Sequence, residues 1–77
     1  MKIEVGSRIR DIEDGDCYYE GVVVSINPIK YRIKSILWND EYDDSMNNQV
    51  IKLRWWLLEI FKNGKWIKIN KNKQHER

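Results

Sequence analysis

The dipeptide Asn63-Gly64 constrains the fold of this chain more than any other feature. Both residues tolerate positive φ, which the two-residue type I′ turn of a β-hairpin requires. With the pair at the turn, Lys62 faces Lys65, Phe61 faces Trp66, Ile60 faces Ile67 and Glu59 faces Lys68. One face of the hairpin then carries Leu58, Ile60, Ile67 and Ile69, a core pattern. The other carries a Glu59–Lys68 charge pair beside a Phe61–Trp66 aromatic pair. Cross-strand pairs of both kinds contribute roughly 0.2–1 kcal/mol each. The register is consistent on both faces.

Three further runs read as strands. Residues 7–13 form the first and 18–26 the second, where serial valines favour a pleated surface because their χ1 is stiff. Gly21 inside the second run marks a bulge or a close backbone approach, where a small barrel bends. The third run, 30–38, opens with Tyr31 and Ile33 pointing one way and Lys30, Arg32 and Lys34 the other. Residues 50–58 are ambiguous. Ile51, Leu53 and Trp55 alternate with Lys52 and Arg54 as in a strand, but the phase breaks at Trp55-Trp56, because the hairpin core occupies even positions. A bulge or a 3₁₀ turn repairs that phase; a short helix is the competing reading. Turn signals fall at Asp14-Gly15-Asp16, at Asn27-Pro28 and across the polar stretch 39–49, read as a long loop. Five short strands at about ten-residue spacing predict an all-β fold, a small five-stranded barrel ending in the Asn-Gly hairpin.

The size fits. Seventy-seven residues make one domain, predicted over 1–70, with a basic, frayed tail at 71–77. Four tryptophans supply apolar area to a thin core. A single cysteine, Cys17, allows no internal disulfide framework and points to a reducing compartment. The opening MKIEVGSRIR has no signal-like apolar run and no stretch approaches 18 apolar residues, so the expected location is the cytoplasm, with no membrane contact. Lysine, asparagine and isoleucine make up 27 of the 77 residues, a bias compatible with an AT-rich viral or phage genome.

The segment Val5-Gly6-Ser7-Arg8-Ile9, followed by Asp14-Gly15-Asp16-Cys17-Tyr18-Tyr19-Glu20-Gly21-Val22-Val23, resembles the Tudor family. Those domains open on a Val-Gly pair and a short strand. An Asp-Gly turn, an aromatic pair, a small residue and a valine-rich strand follow. Leu37-Trp38-Asn39-Asp40 is similar to the end of their third strand. The likeness spans residues 5–58 and implies a Tudor-like (SH3-like) barrel. It further implies an aromatic cage for methylated lysine or arginine, in which Tyr18 matches the first cage aromatic and Trp38 and Tyr42 fall where the others lie. The chain departs from the family in its long 39–49 loop, in lacking the Tyr-Gly-Asn segment and in its added hairpin.

Charge is segregated along the chain: net −3 over residues 1–29, +3 over 30–38, −4 over 39–49 and +6 over 50–77. Three surfaces compete as binding sites. Tyr18, Trp38 and Tyr42 with Asp40 form a candidate aromatic cage, and Glu41, Asp43 and Asp44 add negative potential to attract a cation. The bland alternative is that Trp38 plugs the barrel end and the acidic loop is merely solvated. Phe61 and Trp66 form a patch suited to docking or self-association, or else cover a second small core against Trp55 or Leu57. Lys30, Arg32 and Lys34, joined by Lys52 and Arg54, make a one-sided basic ladder able to follow phosphates, or ordinary solvated strand faces.

Catalysis finds no support in the sequence. His75 is the only histidine and sits in the tail, Cys17 has no histidine near it, and no phosphate-cradling glycine motif is present. The carboxylates at 40–44 lack the order of a calcium loop, so neither metal nor cofactor is expected. The sequence therefore predicts a non-catalytic recognition module for a protein or peptide partner, phage-encoded and acting on a host factor. Nucleic-acid binding is the alternative and self-association the third reading, with the chain a monomer or weak homo-oligomer.

Overall fold

The computed structural model describes residues 3–54 and 57–69. The Trp55-Trp56 phase break and the 71–77 tail with His75 lie outside the described residues. Seven antiparallel strands pair in one sheet: β1 (Arg8–Asp14), β2 (Cys17–Ile26), β3 (Ile29–Trp38), β4 (Glu41–Asp43), β5 (Val50–Lys52), β6 (Leu57–Lys62) and β7 (Lys65–Ile69). The order across the sheet is β4-β3-β2-β1-β6-β7. β5 pairs with the same edge of β3 as β4, at the opposite end of that strand. The fold is all-β, as the sequence predicts. The sheet is an open one of seven strands, and no helix occurs among the described residues.

The C-terminal hairpin has the predicted register, from Lys62↔Lys65 through Phe61↔Trp66, Ile60↔Ile67 and Glu59↔Lys68 to Leu58↔Ile69. Its turn residues, Asn63 (φ 54°) and Gly64 (φ 80°), take the left-handed conformations of a type I′ turn. The same device recurs inside the stretch read as a long loop. Asn39 (φ 53°) and Asp40 (φ 67°) turn β3 back on itself, with Trp38 opposite Glu41, and so create β4. The rest of that stretch is tied to the edge of β3: the amides of Asn48 and Leu53 donate to the carbonyls of Ile33 and Ile29, and the Ile33 amide donates to Gln49. Those bonds explain why residues 50–52 are strand rather than helix. The edge of β3 offers backbone partners, and Ile51 and Leu53 pack on the core.

Three one-residue bulges bend the sheet, at Glu13 on β1, Val24 on β2 and Lys34 on β3. The one at Lys34 re-phases its strand. Before it Tyr31 and Ile33 are buried; after it Ile36 is buried, and Leu37 moves to the outer side beside Tyr18. Gly21, opposite Ile33 at the bulge, is the close approach that the sequence predicts: its backbone lies against the Arg32 carbonyl and the Tyr31 ring.

The core gathers on the inner side of the bent sheet, from Ile9, Val23, Tyr31, Ile33, Ile36, Leu58 and Ile60, with Ile51, Leu53, Ile67 and Ile69 packed around it. One carboxylate lies within it. Asp11 has no exposed surface. Its Oδ2 accepts from the Tyr31 hydroxyl at 3.2 Å and from the Arg54 amide at 2.8 Å, and the Arg54 Nε stands 3.7 Å away. The pairing satisfies polar groups that would otherwise be costly to bury. It also clamps residue 54, on the way from β5 to β6, against β1.

Burial, and then the neighbouring Asp11 carboxylate, push the Tyr31 phenol far above its ordinary range. The sign of the linkage follows. The folded state holds that proton more tightly than the unfolded chain, whose tyrosine titrates near 10.0. The contribution of Tyr31 is complete below about pH 10 and declines as pH rises above it. Urea unfolding at pH 9 and pH 11 should show a loss of stability that is smaller in Tyr31→Phe. An equal loss in both proteins would show that Tyr31 is not the group responsible.

Candidate functional site

The two faces of the sheet end differently. On the outer side, directly opposed pairs carry an apolar row across five strands: Tyr42, Leu37, Tyr18, Ile12 and Leu57. Tyr42 and Leu57 are largely exposed. The Tyr18 and Tyr42 hydroxyls are 3.5 Å apart. That contact, and then partial burial, raise the Tyr18 phenol above its usual range.

A second outer row is ionic and aromatic. Arg8 binds Glu20 through Nη2 at 2.7 Å and Nε at 2.8 Å. Arg10 stands between Glu20 (3.9 Å) and Glu59 (3.5 Å). The guanidiniums also lie over rings: Arg10 is 4.0 Å from the Trp66 centroid and 4.7 Å from that of Tyr18, and Arg8 is 5.0 Å from that of Phe61. Phe61 and Trp66 meet edge to face at 5.1 Å. The hairpin aromatics are thus capped by the protein's own cations, an arrangement that favours packing over a free sticky patch. Arginines at alternate positions of β1 are the sequence signal for it, legible only once β1 is known to lie between β2 and β6.

Trp38 is set apart. The re-phasing at Lys34 gives it the inner-face phase of Ile36, but it stands at the strand end beyond the core and is 49% exposed. Two shallow depressions meet at its indole. One is lined by Glu13, Asp14, Cys17 and Asn39, the other by Glu41, Tyr42, Asp43 and Asp44. Trp38 is therefore flanked by five carboxylates. The backbone amide of Ser45 donates to Asp43 at 2.9 Å, which keeps that carboxyl below its ordinary range and ionised. The buried Cys17 thiol donates to Asn39 Oδ1 at 3.9 Å and helps seat the turn beside Trp38.

Trp38 thus shares one depression with Glu41, Tyr42, Asp43 and Asp44, although Tyr42 belongs to the outer face and Trp38 has the inner-face phase; Asp40 lies in the adjoining turn. Tyr18 touches this group only through the Tyr42 hydroxyl, and Arg10 lies over its ring. Glu13 and Asp14, supplied by the β1–β2 turn, belong to the site although the sequence alone does not connect them to Trp38. Of the basic ladder, Lys30, Arg32, Lys34 and Lys52 share the exposed outer side. Arg54 is elsewhere: its guanidinium lies 3.7 Å from Asp11, 3.6 Å from Glu13 and 4.2 Å from the Tyr19 ring centroid. Among the described residues no group of three or more potential ligands is assembled for a metal, and no helix is long and apolar enough to cross a membrane. Compared with family models, curated proteins and solved structures, the chain has no significant match in any of the three.

Proposed function

We propose that the protein is a non-catalytic recognition module, and that it takes a cationic side chain of a protein or peptide partner on Trp38. The half-exposed indole among five carboxylates carries this reading. Tryptophan is the best cation–π face, and the surrounding negative potential both attracts a cation and selects against anions. A lysine or arginine, free or methylated, fits that chemistry. The Tudor resemblance agrees, and the bulged sheet with its core on one side is compatible with a partly open Tudor-like barrel. In this reading the contact is the Trp38 indole, with Glu41 opposite it, and Tyr42, whose hydroxyl meets that of Tyr18, borders the depression from the outer side.

Titration of a lysine-containing peptide, unmodified and trimethylated, followed by tryptophan fluorescence or calorimetry, tests it. Trp38→Ala should weaken binding about thirtyfold, the equivalent of ~2 kcal/mol, with an unchanged circular dichroism spectrum. Neutralising Glu41, Asp43 and Asp44 should weaken it further at low salt. Peptide affinity unaffected by Trp38→Ala would sink the proposal.

A further inference from the structure

The other end of the outer face carries four cations that have no carboxylate partner among the described residues. Lys30 and Lys52 stand directly opposite one another on β3 and β5. Like charges in directly opposed positions destabilise a sheet, so this pair gains from an anion between them. Arg32 and Lys34 continue the row along β3, and all four residues are exposed. Among the described residues none of the four has a carboxylate within ion-pair distance, whereas Arg8, Arg10 and Arg54 each have at least one. The Arg32 Nη1 donates to the Asn48 carbonyl at 3.1 Å, which orients its guanidinium while leaving other donors free. Alternate residues on a strand are about 6.6 Å apart, comparable to the step between phosphates of an extended single strand.

Beside this row the surface changes character. Arg32 faces Val22, and Val22 faces Arg8, whose side chain is 49% exposed and rests on Phe61 and Trp66. Guanidinium planes backed by aromatic rings are platforms on which unpaired bases stack. We infer that this face binds single-stranded nucleic acid, with Lys30 and Lys52 sharing one phosphate, Arg32 and Lys34 on the next two, and bases turned toward Val22 and Arg8. The acidic surround of Trp38 repels the same polymer, so the two surfaces are separate.

Fluorescence anisotropy with labelled single-stranded DNA, single-stranded RNA of the same sequence, and the corresponding duplex tests this. The single strands should bind with a log–log salt slope near −2, from three phosphate contacts at about −0.7 each. Replacing Lys30, Arg32, Lys34 and Lys52 by glutamine should reduce affinity at least tenfold and flatten the slope. A control at the hairpin, Lys62, Lys65 and Lys68 to glutamine, which removes three charges where the test variant removes four, should leave affinity within twofold, as should Trp38→Ala. Equal losses in the two glutamine variants, tighter binding of the duplex, or no binding by either single strand would each overturn the inference.

Discussion

Gly21→Ala should remove most or all of the stability of this domain. A Cβ at position 21 would lie inside van der Waals contact of the Arg32 carbonyl oxygen and only 2.6 Å from Tyr31 Cδ2. Neither neighbour can give way. The carbonyl belongs to the backbone of β3, and Tyr31 is fully buried with its hydroxyl engaged by Asp11. Overpacking usually costs about 1–3 kcal/mol, and a clash with strand backbone belongs in the tail above ~4 kcal/mol. A chain of this length has roughly 4–12 kcal/mol in all. The measurement is urea or thermal unfolding followed by circular dichroism, with loss of a cooperative transition as the expected result. A variant within about 1 kcal/mol of the parent would mean that β2 and β3 do not pair in this register.

The second large effect is expected at Asp11. Asp11→Ala leaves the Tyr31 hydroxyl, the Arg54 amide and the Arg54 guanidinium without this acceptor, in a region with no access to water for the carboxylate itself. Two hydrogen bonds to a charged acceptor are lost, at about 1.5–3 kcal/mol each, while the partly exposed Arg54 guanidinium keeps Glu13. Asp11→Asn keeps an acceptor of the same shape and should lose less, because only the charge opposite Arg54 is removed. The ordering parent, Asn, Ala in urea midpoints tests the clamp. Protection of the Arg54 amide from hydrogen exchange should fall in the same order. An alanine variant as stable as the asparagine variant would show that the hydrogen bonds at this site contribute nothing.

How much of this was legible in the sequence varied with the range of the forces involved. The Asn63-Gly64 hairpin was readable to the residue because its turn chemistry is local and counting outward fixes every pair. The first three strands were readable from β-branched runs, and Gly21 from its place within one of them. The strand β4 was obscured by its composition, since Glu41-Tyr42-Asp43 looks like solvated loop. Yet Asn39 and Asp40, like Asn63, are residues whose short polar side chains tolerate positive φ, and the pair is a signal for the reversal. The bulge at Lys34 had no local signature, because it answers to the bend imposed by β2. Strict alternation puts Trp38 on the face of Arg32, so the makeup of the candidate site turned on something the alternation could not reveal. Asp11 was equally opaque: its burial depends on Arg54, 43 positions away. The cage inferred for Tyr18 rested on position alone and took no account of Arg10, which reaches that ring from the neighbouring strand.

The extra residue at Lys34 also has a bearing on how such a protein can change. It divides β3 into two stretches of opposite parity, one displaying cations outward and the other sending its terminal indole to the opposite side. Substitutions in either stretch alter one surface and leave the other untouched, although both stretches belong to a single ten-residue strand. Deleting that one residue would leave the other pairs of β2 with β3, and so both faces, as they are. A lineage of such chains can thus retune either surface by point changes, and can lose the extra residue without exchanging the two faces.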